Sequence, residues 1–212
     1  WQALARQLGE TRNWDVFLAE TLPTILAAFP ECPQAQDLSD YARRRCAVNR
    51  QVAGSLLRAG DYSRLLLDFT AGVQTLPERT NRRLDVFAPR CLDKRARKVW
   101  LLAQEALTSD ASARHRLRVE YKRLRYALEF FAPLFPGELL RNYHVAASGL
   151  QEMLGQLNDL AVARELIGEA LPGHPGERIR RWLEVRSEDL LPQLEGLLGD
   201  FYGQSVPWQR DS

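Results

Sequence analysis

The chain has 212 residues, 45% of them hydrophobic and 26% charged, with a formal net charge of only +2. That is the composition of a folded globular protein with one large domain or two small ones, and it excludes any anion binding that relies on global charge. No apolar run reaches the roughly 18 residues needed to span a bilayer. Cys32, Cys46 and Cys91 are odd in number and lack metal-ligand spacing, as expected of reduced cysteines in a cytosolic protein.

Almost every periodic stretch is helical, and Ala, Leu, Arg and Glu dominate. The periodicity predicts helices over 1–9, 14–28, 36–59, 62–75, 90–108, 112–134, 138–156, 158–170 and 176–199, punctuated by Pro30, Pro33, Gly60-Asp61, Pro77 to Pro89, Ser109-Asp110, Pro136-Gly137 and Pro172 to Pro175. Ser109, Asp110 and Ser112 are the N-cap choices for 112–134. Residues 203–212 lack periodicity and read as a loose tail. Grouped, these elements give an N-terminal helical half over 1–78, a linker over 79–89, a C-terminal helical bundle over 90–200 and a tail over 201–212.

An internal repeat supports two related halves. "LGETRNWDV" (8–16) and "LGQLNDLAV" (154–162) align without gaps, and "RRCAVNR" (44–50) shares Arg-Arg followed by Arg with "RRWLEVR" (180–186). The Asn158-Asp159 pair then reads as a repeated helix-junction motif matching Arg12-Asn13. The basic helix 112–134 precedes the second Leu-Gly motif, so its counterpart should lie upstream of Trp1. The expectation is an all-α fold of two antiparallel bundles related by pseudo-twofold duplication. The first basic helix of the N-terminal half is expected to be missing, Trp1 being the start of a fragment.

On a helical wheel, Leu117, Tyr121, Leu124, Leu128 and Phe131 share an arc of roughly 80° that must enter a core. A second arc carries Arg114, His115, Arg118, Lys122, Arg125, Tyr126 and Glu129, with His115, Arg118, Lys122 and Arg125 spaced as one stripe. Arg116, Glu120 and Arg123 form a third face of mixed sign, as on a solvated helix. Like charges at this spacing destabilise a helix by a few tenths of a kcal/mol per pair. The stripe therefore either meets carboxylates from neighbouring helices or binds an anion, and the second reading is favoured. In the preceding helix Arg90, Lys94, Arg97 and Lys98 lie opposite Leu92, Val99, Ala103 and Ala106. From Arg90 to Tyr126 eleven cations face four acids, a local field of +7 within a nearly neutral chain.

His115, Arg118, Lys122, Arg125 and Tyr126, followed by Ala127, Glu129 and Phe130, resemble the His-x-x-Arg-x-x-x-Lys-x-x-Arg-Tyr signature of the CHAD family (conserved histidine α-helical domain). "APRCLDKRARKVW" and "LQEMLGQLNDLAVA" resemble the flanking helices, and "LGETRNWDV" the first-half motif, with Asn13 where Asp is commoner. The resemblance extends over nearly all of 1–200. It implies two helical bundles around a basic channel that binds inorganic polyphosphate. It also implies a cytoplasmic protein that can associate with polyphosphate granules. His115, Arg118, Lys122 and Arg125 would line that channel, with Arg114 and Tyr126 beside them. Arg90, Lys94, Arg97, Lys98, Arg45, Arg50, Arg181 and Arg186 join them on charge and repetition alone. A protonated His115 would add a charge, so binding should tighten as pH falls.

Catalysis is not expected, nor is any cofactor or metal. His144 and His174 stand alone, and neither a His-Asp pair nor a Gly-rich phosphate loop occurs. A protein that binds RNA backbones is the main rival, because basic helices suit phosphates of any kind. No aromatic series interleaves the cations, however, and Trp14, Trp100 and Trp182 fall at core positions. A scaffold whose basic face docks an acidic protein is the third reading.

Overall fold

A computed structural model describes residues 2–76, 83–108, 110–135 and 137–208, and among these every regular element is a helix. The elements are α1 (Gln2–Val16), α2 (Leu22–Ala28), α3 (Pro33–Arg58), α4 (Gly60–Gln74), α5 (Leu84–Thr108), α6 (Ala111–Phe131), α7 (Gly137–Ala170), α8 (Glu177–Asp189) and α9 (Leu191–Gly203). None of the described helices is long and apolar enough to cross a membrane.

Several boundaries differ from the sequence reading, each for a local reason. The break expected between 9 and 14 is absent, because Gly9 is tolerated inside α1 and Thr11 bonds the carbonyl oxygens of Gln7 and Asn49. A five-residue π-turn, Phe17–Thr21, joins α1 to α2 and re-aims the apolar face without ending the helix. The break at 157 is also absent. The 34-residue α7 runs through Gly155 and Asn158-Asp159, because Leu150, Met153, Leu154 and Leu157 keep one apolar face buried across it. Asn158-Asp159 is therefore not a helix junction.

The helix expected over 176–199 instead divides at Leu190, where Pro192 fits the first turn of α9. Part of the expected linker 79–89 is helical, since α5 begins at Leu84 and carries Pro89 inside it. Residues 77–82, and with them the rest of that linker, lie outside the described residues, as do Trp1, Ser109, Pro136 and 209–212. Of the N-cap choices, Asp110 takes the role, its Oδ1 accepting the Ala113 N–H at 3.1 Å.

The chain forms two compact units. One comprises residues 1–80 and 162–184, the other 81–161 and 185–212. Residues 162–184 thus group with the N-terminal helices instead of with 90–200. The physical reason is apolar burial around Trp14, Phe17, Ile25 and Leu38, with Ile167, Ile179 and Leu183 buried in the same unit. Phe29 meets Trp182 edge-on at 5.7 Å. Between α7 and α8 the chain turns at Gly173, whose φ of 75° suits glycine. Arg180 there donates to the carbonyls of Leu171 and Gly173, satisfying the end of α7. α4 buries none of its residues, and Leu67, Phe69 and Val73 stand exposed on it.

The second unit packs α5 and α6 against the first part of α7 and α9, around Leu92, Val99, Leu117, Tyr121, Leu124, Leu128, Leu150, Leu154, Leu194 and Leu198. The apolar arc read from the sequence of α6 is this buried face. Fully burying each of its large side chains contributes about 1.5–3 kcal/mol, which fixes how α6 is rotated and so where its cations point. The tail is not wholly loose. Trp208 is buried, meets Tyr143 edge-on at 5.4 Å, and donates its indole N–H to Asp93 at 2.8 Å.

Candidate anion-binding site

With its apolar arc in the core, α6 presents cations on two opposite flanks. Its backbone advances roughly 100° per residue, which places His115, Arg118, Lys122 and Arg125 on one flank and Glu120 and Arg123 on the other.

On the first flank, His115 is exposed and its Nδ1 lies 2.9 Å from Asn158 Oδ1. The Asn158 amide nitrogen donates to Asp159 Oδ1 at 3.3 Å, which turns the amide oxygen toward His115 and makes Nδ1–H the donor. His115 Nε2 has no hydrogen-bond partner among the described residues. Arg118 and Lys122 are half-buried and meet no carboxylate among the described residues. Arg125 pairs with Glu129 at 3.3 Å, and its guanidinium lies 4.8 Å from the centre of the half-exposed Tyr126 ring. Arg125 Nε is buried without a hydrogen-bond partner among the described residues. Arg114 sits half-buried one position before His115 and is held by an interaction of its own.

On the other flank the carboxylate of Glu120 is buried and accepts Lys98 Nζ at 2.9 Å together with a bond from Arg123. Burial pushes this carboxyl up, but the hydrogen bonds and charges of Lys98 and Arg123 outweigh it and hold it below the usual carboxylate range. The mixed-sign face was read as solvated; its centre is this buried bridge. A side chain reaching the neighbouring helix can bury a residue that the wheel of one helix places at its flank. Arg116 pairs with Glu105.

Arg90, Lys94 and Lys98 line a pocket of about 990 Å³ with Val86, Phe87, Cys91, Glu120 and Arg123. Neither Arg97, which is exposed, nor any stripe residue belongs to its lining. The ten expected residues carried by α5 and α6 thus do not form one constellation; they fall on separate faces of the two helices.

The repeat arginines are occupied. Arg45 bonds Glu10 at 3.2 Å and Glu169 at 2.9 Å, and Arg50 bonds Asp15 at 2.9 Å. Arg181 holds Glu184 at 2.8 Å, and its hydrogen bond, with the charge of Arg164, draws that carboxyl down. Arg186 also has an interaction of its own. Of the tryptophans placed at core positions, Trp14 is fully buried but Trp100 is about half exposed, 49%. Asn158, Asp159, Glu120 and Phe87 were missed as contributors. Only Asn158-Asp159 carried a signal, as a polar pair between Leu157 and Leu160 that matches Arg12-Asn13 in the repeat.

An all-helical protein with a buried apolar face and cationic flanks on one helix is the class these features define. The chain belongs to the CHAD domain family, whose model matches residues 1–168, as the signature on α6 had implied. The structure is similar to that of the CHAD domain from the plant Ricinus communis, with a TM-score of 0.83 and 28% identity, covering 97% of this chain and 71% of that one. No curated protein matches the chain.

Proposed function

We propose that this chain binds inorganic polyphosphate, without catalysis, through the His115–Arg118–Lys122–Arg125 flank of α6. The observation that carries the reading is that Arg118 and Lys122 are held half-buried on a helix locked by its core face and have no carboxylate among the described residues to neutralise them. Two uncompensated cations next to a partly satisfied arginine and a positioned imidazole give fixed donors for phosphate oxygens. The CHAD family's general association with polyphosphate supports the same ligand. The reading includes association with polyphosphate granules in the cytoplasm, and an internal duplication in which Arg44-Arg45 correspond to Arg180-Arg181.

The test is a titration of the full chain with long-chain polyphosphate at several salt concentrations, with single-stranded RNA as competitor. Replacing Arg118 and Lys122 by Gln should keep the helix and make log K against log salt shallower by about 1.4, taking ~0.7 per phosphate contact from single-stranded polyanions. Arg116→Gln should leave the slope near that of the parent. RNA competing as well as polyphosphate at matched salt would favour a general phosphate-backbone binder. Equal loss from Arg116→Gln and Arg118→Gln would show a diffuse positive field and no site.

A further inference from the structure

The pocket between α5 and α6 has features that the polyphosphate reading does not use. Its cations stand one helical turn apart along α5, at Arg90, Lys94 and Lys98, so neighbouring charges are spaced by about 6 Å. Not all of them are available to a ligand. Glu120 already occupies Lys98 and Arg123, and Arg83 pairs with Asp85 at 2.6 Å. The surplus is Arg90, Lys94 and Arg95, which meet no carboxylate among the described residues.

The site is also bounded at both ends in a chemically different way. Beyond Lys94 lies the Glu120 carboxylate, which stays ionised because its bonds to Lys98 and Arg123 hold its pKa down. A chain of phosphates continuing in that direction would meet Lys98 and Arg123 with one of their two charges neutralised by Glu120. Before Arg90 the wall carries Val86 and Phe87, with Cys91 beside them, together with Arg83, which Asp85 neutralises. The Phe87 ring is 41% exposed, yet its other side packs edge-on against Phe131 at 6.1 Å, so it is fixed before any ligand arrives. A cavity of about 990 Å³ with an apolar end and a few convergent charges has the size and lining of a small-molecule site.

We propose that this pocket binds a compact organic di- or triphosphate of the nucleotide class, its aromatic base against Phe87 and its phosphates on Arg90, Lys94 and Arg95. It is separate from the stripe, on the opposite flank of α6. Inorganic polyphosphate has no apolar or aromatic group to place against Phe87, so it uses only the cationic part of the pocket. Glu120 engages Lys98 and Arg123, which leaves Arg90, Lys94 and Arg95 as the cations for a short phosphate chain.

Calorimetric titration of the full chain with ATP and with inorganic tripolyphosphate, at low salt, tests this. ATP should bind more tightly than tripolyphosphate. Arg90→Gln with Lys94→Gln should weaken ATP by about tenfold or more, since two charge-assisted contacts are lost. Phe87→Leu should weaken ATP about fivefold and leave tripolyphosphate within about twofold, the ring contact being absent from the inorganic ligand. Arg118→Gln with Lys122→Gln should leave ATP binding within about twofold while long-chain polyphosphate binding falls. The last contrast separates failure of this proposal from failure of the stripe. Arg90 and Lys94 are exposed, so their variant tests the anion end even if Phe87→Leu loosens α5. The proposal is overturned by any of three results: no heat of binding with millimolar ATP, tripolyphosphate binding as tightly as ATP with no response to Phe87→Leu, or loss of ATP binding in the stripe variant.

Discussion

Replacing Glu120 by Gln isolates the bridge between α5 and α6. The parent carboxylate is 8% exposed and accepts from Lys98 and Arg123, whose side chains are 57% and 56% exposed. Hydrogen bonds to a charged group contribute about 1.5–3 kcal/mol net and neutral ones about 0.5–1.5; because Lys98 and Arg123 stay cationic, two ion–ion bonds becoming bonds to a neutral amide oxygen lose at most about 2 kcal/mol. Water reaches both cations, and the neutral side chain no longer needs a carboxylate desolvated. Together these reduce the expected loss to about 1 kcal/mol. For a chain of this size that is roughly a 2–4 °C drop in Tm.

The pH dependence is the sharper signature. The folded-state pKa of Glu120 is depressed, so its contribution is fully present above the ordinary glutamate value, about 4.3, and is lost as pH falls through the folded value. Thermal melts followed by circular dichroism should show a constant gap between parent and Glu120→Gln from about pH 6 to 8. Below about pH 4 the gap should narrow. A variant at least as stable as the parent at pH 7, or a gap that stays unchanged into acid, would refute the claim that Lys98 and Arg123 stabilise the ionised form.

Trp208→Ala removes the edge contact with Tyr143 and the bond to Asp93; it should lower stability by about 3 kcal/mol in chemical denaturation. Asp110→Ala removes the cap of α6 and should cost about 1 kcal/mol by the same assay. Burial pushes the hydroxyls of Tyr121, Tyr143 and Tyr202 well above the ordinary tyrosine range. Stability should therefore hold below about pH 10 and fall above it, as the unfolded chain releases protons that the folded one keeps. An ultraviolet titration should show these three ionising only as the chain unfolds. Asn158→Ala frees the His115 ring from its orienting bond and should weaken polyphosphate binding about threefold without moving the salt slope, because no cation is lost.

The helical class, the buried arc of α6 and the stripe beside it were legible because each depends on spacing within one helix. Leu117, Tyr121, Leu124, Leu128 and Phe131 are buried as their wheel positions require. What one helix cannot encode is what its neighbour brings. Nothing local distinguishes Glu120, buried beneath Lys98, from a solvated acid such as Glu105. Nor does the charge of Arg45 reveal that Glu10 and Glu169, distant along the chain, meet it. The breaks read at 10–13 and at 157 do not occur, because Trp14 anchors the first stretch and Leu150, Leu154 and Leu157 the second, and tertiary packing overrides a weak local signal.

The buried indole of Trp208 bears on how small a working fragment can be made. The family match ends at residue 168, yet the rings of Tyr121 and Tyr143 are covered by Phe201, at 5.5 and 4.9 Å, and Tyr143 again by Trp208. A protein trimmed to the match would keep every cation of α6 but lose Leu194, Leu198, Phe201 and Trp208 from the core that aims them. Its aromatic rings would face water, and Asp93 would lose its indole donor one position from Lys94. Shortened versions for binding work should therefore be cut after residue 208.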